Sequence, residues 1–313
     1  MKMKKQWWII IGIIFINILF IGISPVIAVE PPSAILPLEE LPAETQEITA
    51  LREKVEALID EYTPQMIEIS DYLYHHPESG YFEFESAKYV TAELEKNGFE
   101  IEWGVKGLDE GYNAVIEKLF NNRDLPQVFT AKYKGKSEYP VLAFTTEMDA
   151  LRGDPPFHGC MHNQQPAVAL GAAIAMTKIM EENNLPGSIW VIFLPAEEIP
   201  PPDPTAMFKA GYFDEVDFAL QTHGGVQSGV FKRLEAGVSG GLINANLYEF
   251  YGKEAHSGGA PWDGRDAGDA LRAMWAMIDM LREHSEPGFR FHGAILETSP
   301  APNVINPYVR FDH

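Results

Sequence analysis

Residues 188–194 (SIWVIFL) contain no charge and no alternation of polar with apolar side chains, so a strand made from them must be covered on both faces. Helices are the natural cover, and the flanking sequence supplies them. Residues 47–75 space Leu51, Val55, Leu58, Ile59, Tyr62, Met66, Ile69 and Leu73 along one helical side. Residues 86–97 form a second helix that Asn97-Gly98 ends. Residues 166–184 are alanine-rich, with Pro166 in the first turn and Pro186-Gly187 beyond the end, and 205–211 form a short helix. VFTAKYKG (128–135) and YPVLAFTTEMD (139–149) read as neighbouring strands joined by a turn around Gly135, and 217–222 as another buried strand. No internal repeat is visible. This order of elements predicts an α/β fold.

Beyond that core, residues 242–251 read as a strand, 266–283 as a helix with Leu271, Met274, Trp275, Ile278 and Leu281 on its apolar side, and 291–297 as a strand. That is most of one half of a small α+β sandwich. Glycine and small residues from Ala236 to Ser239 place a boundary there, giving a catalytic segment at 48–236 and a smaller unit at 237–313.

The N-terminus has a different character. Lys2, Lys4 and Lys5 precede an apolar stretch from Trp7 to about Ile23, and Val26-Ile27-Ala28 offers a cleavage site, so 1–28 reads as a signal peptide. Gly12, Asn17, Gly22 and Pro25 interrupt the stretch, yet its length also accommodates an uncleaved anchor, the one route by which this chain would contact a membrane. Residues 29–47 are a proline-rich acidic tether. Export, periplasmic or extracellular, is the expectation. The formal net charge of -21 excludes nucleic acid and anionic lipid as partners.

The chemistry-bearing residues follow strands. Cys160 is the only cysteine, so it has no disulfide partner within the chain, and it lies one residue from His162 in HGCMHN. Glu197 and Glu198 end WVIFLPAEE, His223 ends DFALQTH, and Asp149 ends the strand before the cysteine loop. The carboxyl edge of an open α/β sheet is where ligands bind. A thiolate, two imidazoles and carboxylates gathered there suit zinc or a comparable divalent ion. A carboxylate bound to metal cannot shuttle protons freely, so one of the paired glutamates ligates and the other acts as base toward a metal-activated water. Amide hydrolysis is the natural outcome. Blander readings exist: Cys160 as an inert buried thiol, the glutamates as a solvated strand end, His223 as a hydrogen-bonded strand-end histidine, Asp149 as a cap, His256 as a surface histidine. The Cys-x-His spacing and the shared strand-end setting favour the ligand reading. His75 and His76 read as structural, and His158, His284 and His292 carry no functional signal.

Six ordered blocks carry a resemblance: HHPESGYFEFESAKYVTAELEKNGFE (75–100), EMDAL (147–151), HGCMHN (158–163), PAEE (195–198), FDEVDFALQTH (213–223) and GKEAHSGGAPWDGRDAGDAL (252–271). From about residue 50 onward the chain resembles the dinuclear zinc amidohydrolases and carboxypeptidases related to aminoacylase, and most of all the aminobenzoyl-glutamate utilisation hydrolases. The resemblance implies a zinc-aminopeptidase-like three-layer catalytic domain with a mostly parallel sheet, plus a partial ferredoxin-like lid that dimerises. It implies two zinc ions, with manganese or cobalt as substitutes, held by Cys160, His162, Glu198 and His223. Glu197 is implied as general base, Asp149 as the support that orients a ligand, and His256 as a substrate or oxyanion contact from the lid. The implied substrate is a small amide: an N-acyl amino acid, an aminobenzoyl-glutamate-like compound or a dipeptide.

Three departures accompany the match. Met161 stands where the family has glycine, adding bulk beside the metal and removing backbone freedom. Ile199-Pro200-Pro201-Pro202-Asp203-Pro204 replaces a glycine-rich stretch and removes four N–H donors. By the match, His313 still lies inside the lid, so the family's last metal-binding histidine has no counterpart and the expected alternative to an active hydrolase is a truncated, catalytically impaired relic.

Overall fold

The computed structural model describes residues 46–199, 203–224, 246–286, 289–299 and 301–312. The signal peptide, nearly all of the tether, Pro200 to Pro202, the proposed boundary at 236–239 and the start of the strand expected from 242 lie outside the described residues.

The larger sheet grows from the apolar run. Strands β1 (Glu100–Trp103), β2 (Phe129–Lys134), β3 (Val141–Thr146), β4 (Ser188–Phe193) and β5 (Phe218–Gln221) assemble in the order β1-β2-β4-β3-β5. All six residues of β4 are buried, as a strand without polar alternation requires. The helices are α1 (Gln46–His75), α2 (Phe84–Lys96), α3 (Glu110–Phe120), α4 (Gln165–Asn183) and α5 (Asp203–Lys209). Helix α4 packs between α1 and strands β3 and β4, and is buried on nearly every turn. Small side chains allow that: a Cβ on Gly171 would come within 2.5 Å of the Met66 sulfur of α1. Helix α3 starts at Asp109, whose side chain accepts from the Tyr112 N–H.

The α/β expectation holds, with three corrections. The sheet is mixed rather than mostly parallel: β4–β3 and β3–β5 are parallel, whereas β1–β2 and β2–β4 are antiparallel. The segments 128–135 and 139–149 are not neighbours, because β4 lies between them and pairs with both. The reason is that the connection bonds to the start of β4 rather than closing on itself: Gly135 N–H donates to the Gly187 carbonyl at 3.0 Å and Ser188 N–H to that of Pro140 at 2.9 Å. The wholly apolar strand thereby takes the doubly flanked position. The third correction concerns β5, expected to be buried but exposed at all four residues, with Phe218 at 65% and Leu220 at 55%. It is an edge strand, and no described element covers it.

The smaller sheet comprises β6 (Leu247–Tyr251), β7 (Ala294–Glu297) and β8 (Tyr308–Asp312), ordered β6-β8-β7 with both ladders antiparallel. Helix α6 (Ala267–Leu281) connects β6 to β7 and is capped by Asp266, which accepts from Gly268 N–H. This is a split β-α-β arrangement whose central strand, β8, the periodicity did not reveal. Its buried core is Ala267, Leu271, Val309 and Phe311, with Met274 and Trp275 packed alongside. Leu281, assigned to the apolar side, is 52% exposed because the helix outruns the short strands beneath it. Among the described residues no helix is long and apolar enough to cross a membrane.

Candidate metal centre

Strands β4, β3 and β5 run parallel and side by side, so their carboxyl ends share one edge. Glu197 and Glu198 follow β4, Glu147 and Asp149 follow β3, and His223 follows β5. The loop from β3 to α4 brings Cys160 and His162 to the same edge.

Two sets of ligand atoms lie within 4.8 Å of one another: Cys160, His162 and His223, and Glu147, His162 and Glu197. His162 belongs to both and is fully buried. Its Nδ1 is 2.9 Å from Asp149 Oδ1, while Asp149 Oδ2 accepts the Glu198 backbone N–H at 2.8 Å. Asp149 thus ties the histidine loop to the glutamate turn. His223 Nδ1 is 2.7 Å from the Gly224 carbonyl, and its Nε2 lies 3.5 Å from Cys160 Sγ. Both imidazoles are therefore held through Nδ1 by an oxygen and turn Nε2 inward, the arrangement that orients histidine toward a metal.

The electrostatics call for a cation. Burial pushes the Cys160 thiol up to about 12, with Glu198, Glu197 and Glu147 adding to it. Burial likewise raises Glu197 above the ordinary carboxylate range, followed by the charges of Glu147 and Glu198. Burial lowers His162, but the Asp149 hydrogen bond and the charges of Asp149, Glu147 and Glu198 outweigh it and raise the ring to about 9. A divalent ion reverses this logic, favouring thiolate and neutral imidazole, so its binding releases protons. The donor set passes a geometric test as well. His162 Nε2 is buried without a hydrogen-bond partner, and the Cys160–His223 separation of 3.5 Å matches the edge of a tetrahedron built on metal–ligand bonds of about 2.0–2.3 Å.

Not every expected residue joins these sets. Glu198 touches the Cys160 thiol but belongs to neither set. His256 is exposed in the smaller unit, bridges to Val304, and accepts at Nδ1 from the N–H groups of Gly258 and Gly259. Met161 adopts φ +64°, a left-handed conformation that glycine reaches without steric cost. His75 and His76 place Nδ1 within 2.8 and 2.7 Å of the Asp71 and Tyr72 carbonyls, tying off the end of α1.

Sequence reasoning missed two carboxylates. Glu147 lies two residues before Asp149 on a chain leaving a strand, a spacing that could have put both on one side. Glu83 is fully buried; its Oε1 accepts the N–H of Ala196, a left-handed residue at φ +51° that precedes the glutamate pair, and its Oε2 accepts from Gln127 Nε2. Burial, with the Asp149 charge second, pushes Glu83 up to about 8. Nothing in the local pattern marks it, because its partners are 44 and 113 residues away.

No protein-family model matches the chain. Individual relatives do. It is 31% identical over 256 residues to a p-aminobenzoyl-glutamate hydrolase subunit from Escherichia coli, covering 76% of this chain and 48% of that protein. It is 26% identical over 285 residues to the Xaa-Arg dipeptidase of Mus musculus, covering 87% of this chain and 61% of the dipeptidase. Among solved structures, the aminobenzoyl-glutamate utilization protein of Klebsiella pneumoniae superposes with a TM-score of 0.50 at 21% identity, covering 82% of this chain and 68% of that one, a likeness of fold. The chain spans about half to three fifths of the length of the two sequence relatives.

Proposed function

This chain belongs to the M20 family of amidohydrolases, and from that premise we propose that it hydrolyses a small amide bond with a water activated at the Cys160, His162, Glu197, Glu198 and His223 edge. The observation that carries the reading is the inward, unpartnered Nε2 of buried His162, backed by Asp149 and set among carboxylates and a thiol. Cys160, His162, Glu198 and His223 hold the metal, zinc as two ions, with manganese or cobalt as substitutes. When bound, the metal polarises the scissile carbonyl and lowers the pKa of water.

The chain's own residues supply the rest. Glu197 takes the proton from the attacking water and returns it to the leaving amine; its raised pKa moves it toward the operating pH at which such transfers are fastest. Asp149 fixes the His162 ring and, through the Glu198 N–H, the position of the glutamate turn. Substrates named for the relatives set the class: an acyl-amino acid such as an aminobenzoyl-glutamate, or a dipeptide. Pairing of two copies through the unit at 237–313, with His256 reaching substrate, and export on the strength of the N-terminal apolar stretch complete the reading.

Purified protein is expected to contain bound zinc, to hydrolyse members of an acyl-amino acid and dipeptide panel, and to lose that activity to chelator. Glu197→Gln keeps its metal and loses activity by about 100-fold or more. A wild-type protein that binds no zinc, or a Glu197→Gln variant as active as wild type, overturns the proposal.

A further inference from the structure

We propose that Glu147 is itself a metal ligand, sharing an ion with His162. The inference rests on the metal-dependent reading above and adds a residue to it. Glu147 is 6% exposed, and among the described residues no lysine or arginine pairs with it. Its Oε2 lies 3.5 Å from His162 Nε2, again the tetrahedron edge expected for bonds of about 2.0–2.2 Å. That nitrogen is the buried atom without a hydrogen-bond partner, so the carboxylate and the orphaned lone pair face the same point.

Glu147 is also braced as ligating carboxylates are. Gln165 Nε2 donates to the same Oε2 at 2.8 Å, and Gln165 Oε1 accepts the Glu147 backbone N–H at 3.2 Å, so one side chain at the start of α4 grips both ends of the residue. The alternative is a plain ion pair with a protonated His162. That pair would spend two buried carboxylates, Asp149 and Glu147, on one ring while leaving Glu197 beside them without a cation.

No close set contains both Glu147 and Cys160. Ligand atoms more than about 4.6 Å apart cannot touch one ion at bond lengths of about 2.3 Å or less. His162 Nε2 has a single lone pair. The ion at Glu147 and His162 is therefore distinct from one held between Cys160 and His223, and substitutions at the two places have separable effects.

The test is metal binding by the full chain, not turnover. Zinc content and affinity are measured for wild type, Glu147→Gln and Cys160→Ser, with cobalt spectra reporting thiolate ligation. Glu147→Gln is expected to weaken one zinc by about 100-fold or more, beyond the loss of an outer partner, while the thiolate-to-cobalt band persists. Cys160→Ser abolishes that band and keeps the Glu147 ion. Glu147→Asp keeps the charge, retracts the oxygens by about 1.5 Å and gives an intermediate affinity; it carries the comparison if the Gln variant does not fold. Wild-type zinc content and affinity in Glu147→Gln, or in Glu147→Asp if that variant alone folds, overturn this inference alone. A wild-type protein without zinc overturns the proposed function as well.

Discussion

The two halves of the candidate centre stand on opposite kinds of strand. One half, His162 with Asp149, Glu147 and the glutamate turn, rests on β3 and β4, where His162 and Asp149 are at most 1% exposed and hydrogen bonds tie His162 to Asp149, Asp149 to the Glu198 N–H, and Glu147 to Gln165. The other, His223, follows β5, an edge strand exposed along its whole length, and reaches the Cys160 thiol of the β3–α4 loop at 3.5 Å. A centre built this way has a fixed wall and a movable one, because local opening free energy follows buried apolar contact. The fixed wall sets the position of His162 Nε2, and the other must be drawn to it.

Truncating one apolar residue on each side tests that difference most severely. Phe193 ends β4, is fully buried and packs on Phe129 with ring centroids 5.6 Å apart. Phe193→Ala is expected to cost about 3–5 kcal/mol in urea unfolding. Phe218→Ala, at a residue of the same type on β5, is expected to stay within about 0.5 kcal/mol. Comparable losses would break the comparison, since they would mean that β5 is covered in solution.

Glu83 belongs to the fixed wall and gives it a pH signature. The unfolded carboxyl ionises near 4.5, whereas in the folded protein burial and then Asp149 push it up to about 8. Between those values the native state binds more protons than the unfolded chain, so the stability this group contributes is fully present below about 4.5 and is lost as pH rises through about 8. In the presence of chelator, wild type is expected to lose stability across that window at a rate on the order of 1 kcal/mol per pH unit, and Glu83→Gln to show a flatter profile. Parallel profiles for the two proteins would rule Glu83 out as the source.

The contrast between the walls also marks what could be read from sequence. The apolar run 188–194 announced a doubly covered strand because burial on both faces leaves a direct imprint on composition, and β4 is buried at every position. The strand-end placement of Asp149, Cys160, His162 and the glutamates was legible for the same reason. Residues 217–222 carry a similar imprint, yet β5 is exposed, since burial of an edge depends on what lies beside it rather than on its own residues. The insertion of β4 between β2 and β3 is likewise a long-range choice, made by bonds from Gly135 and Pro140 to the start of β4. Glu147 and Glu83 resemble solvated acids in sequence, and only the fold gives them partners.

The smallest effect lies at the seam. Met161 holds φ +64°, which costs an L-residue about 1–2 kcal/mol, while glycine returns about 0.5–1 kcal/mol of that through its extra freedom when unfolded. Met161→Gly is therefore expected to stabilise the protein by about 0.5–1 kcal/mol. The side chain it removes is also one of the contacts between the walls: a Cβ on Gly224, next to His223, would lie 2.8 Å from both the Cβ and the sulfur of Met161. Gly224→Ala should then destabilise wild type but be tolerated in Met161→Gly, so a double-mutant cycle is expected to give a coupling of about 0.5–3 kcal/mol. Additive effects would show that Met161 does not occupy the space Gly224 leaves, and that the β3–β5 ladder and the Cys160–His223 contact hold the movable wall without it.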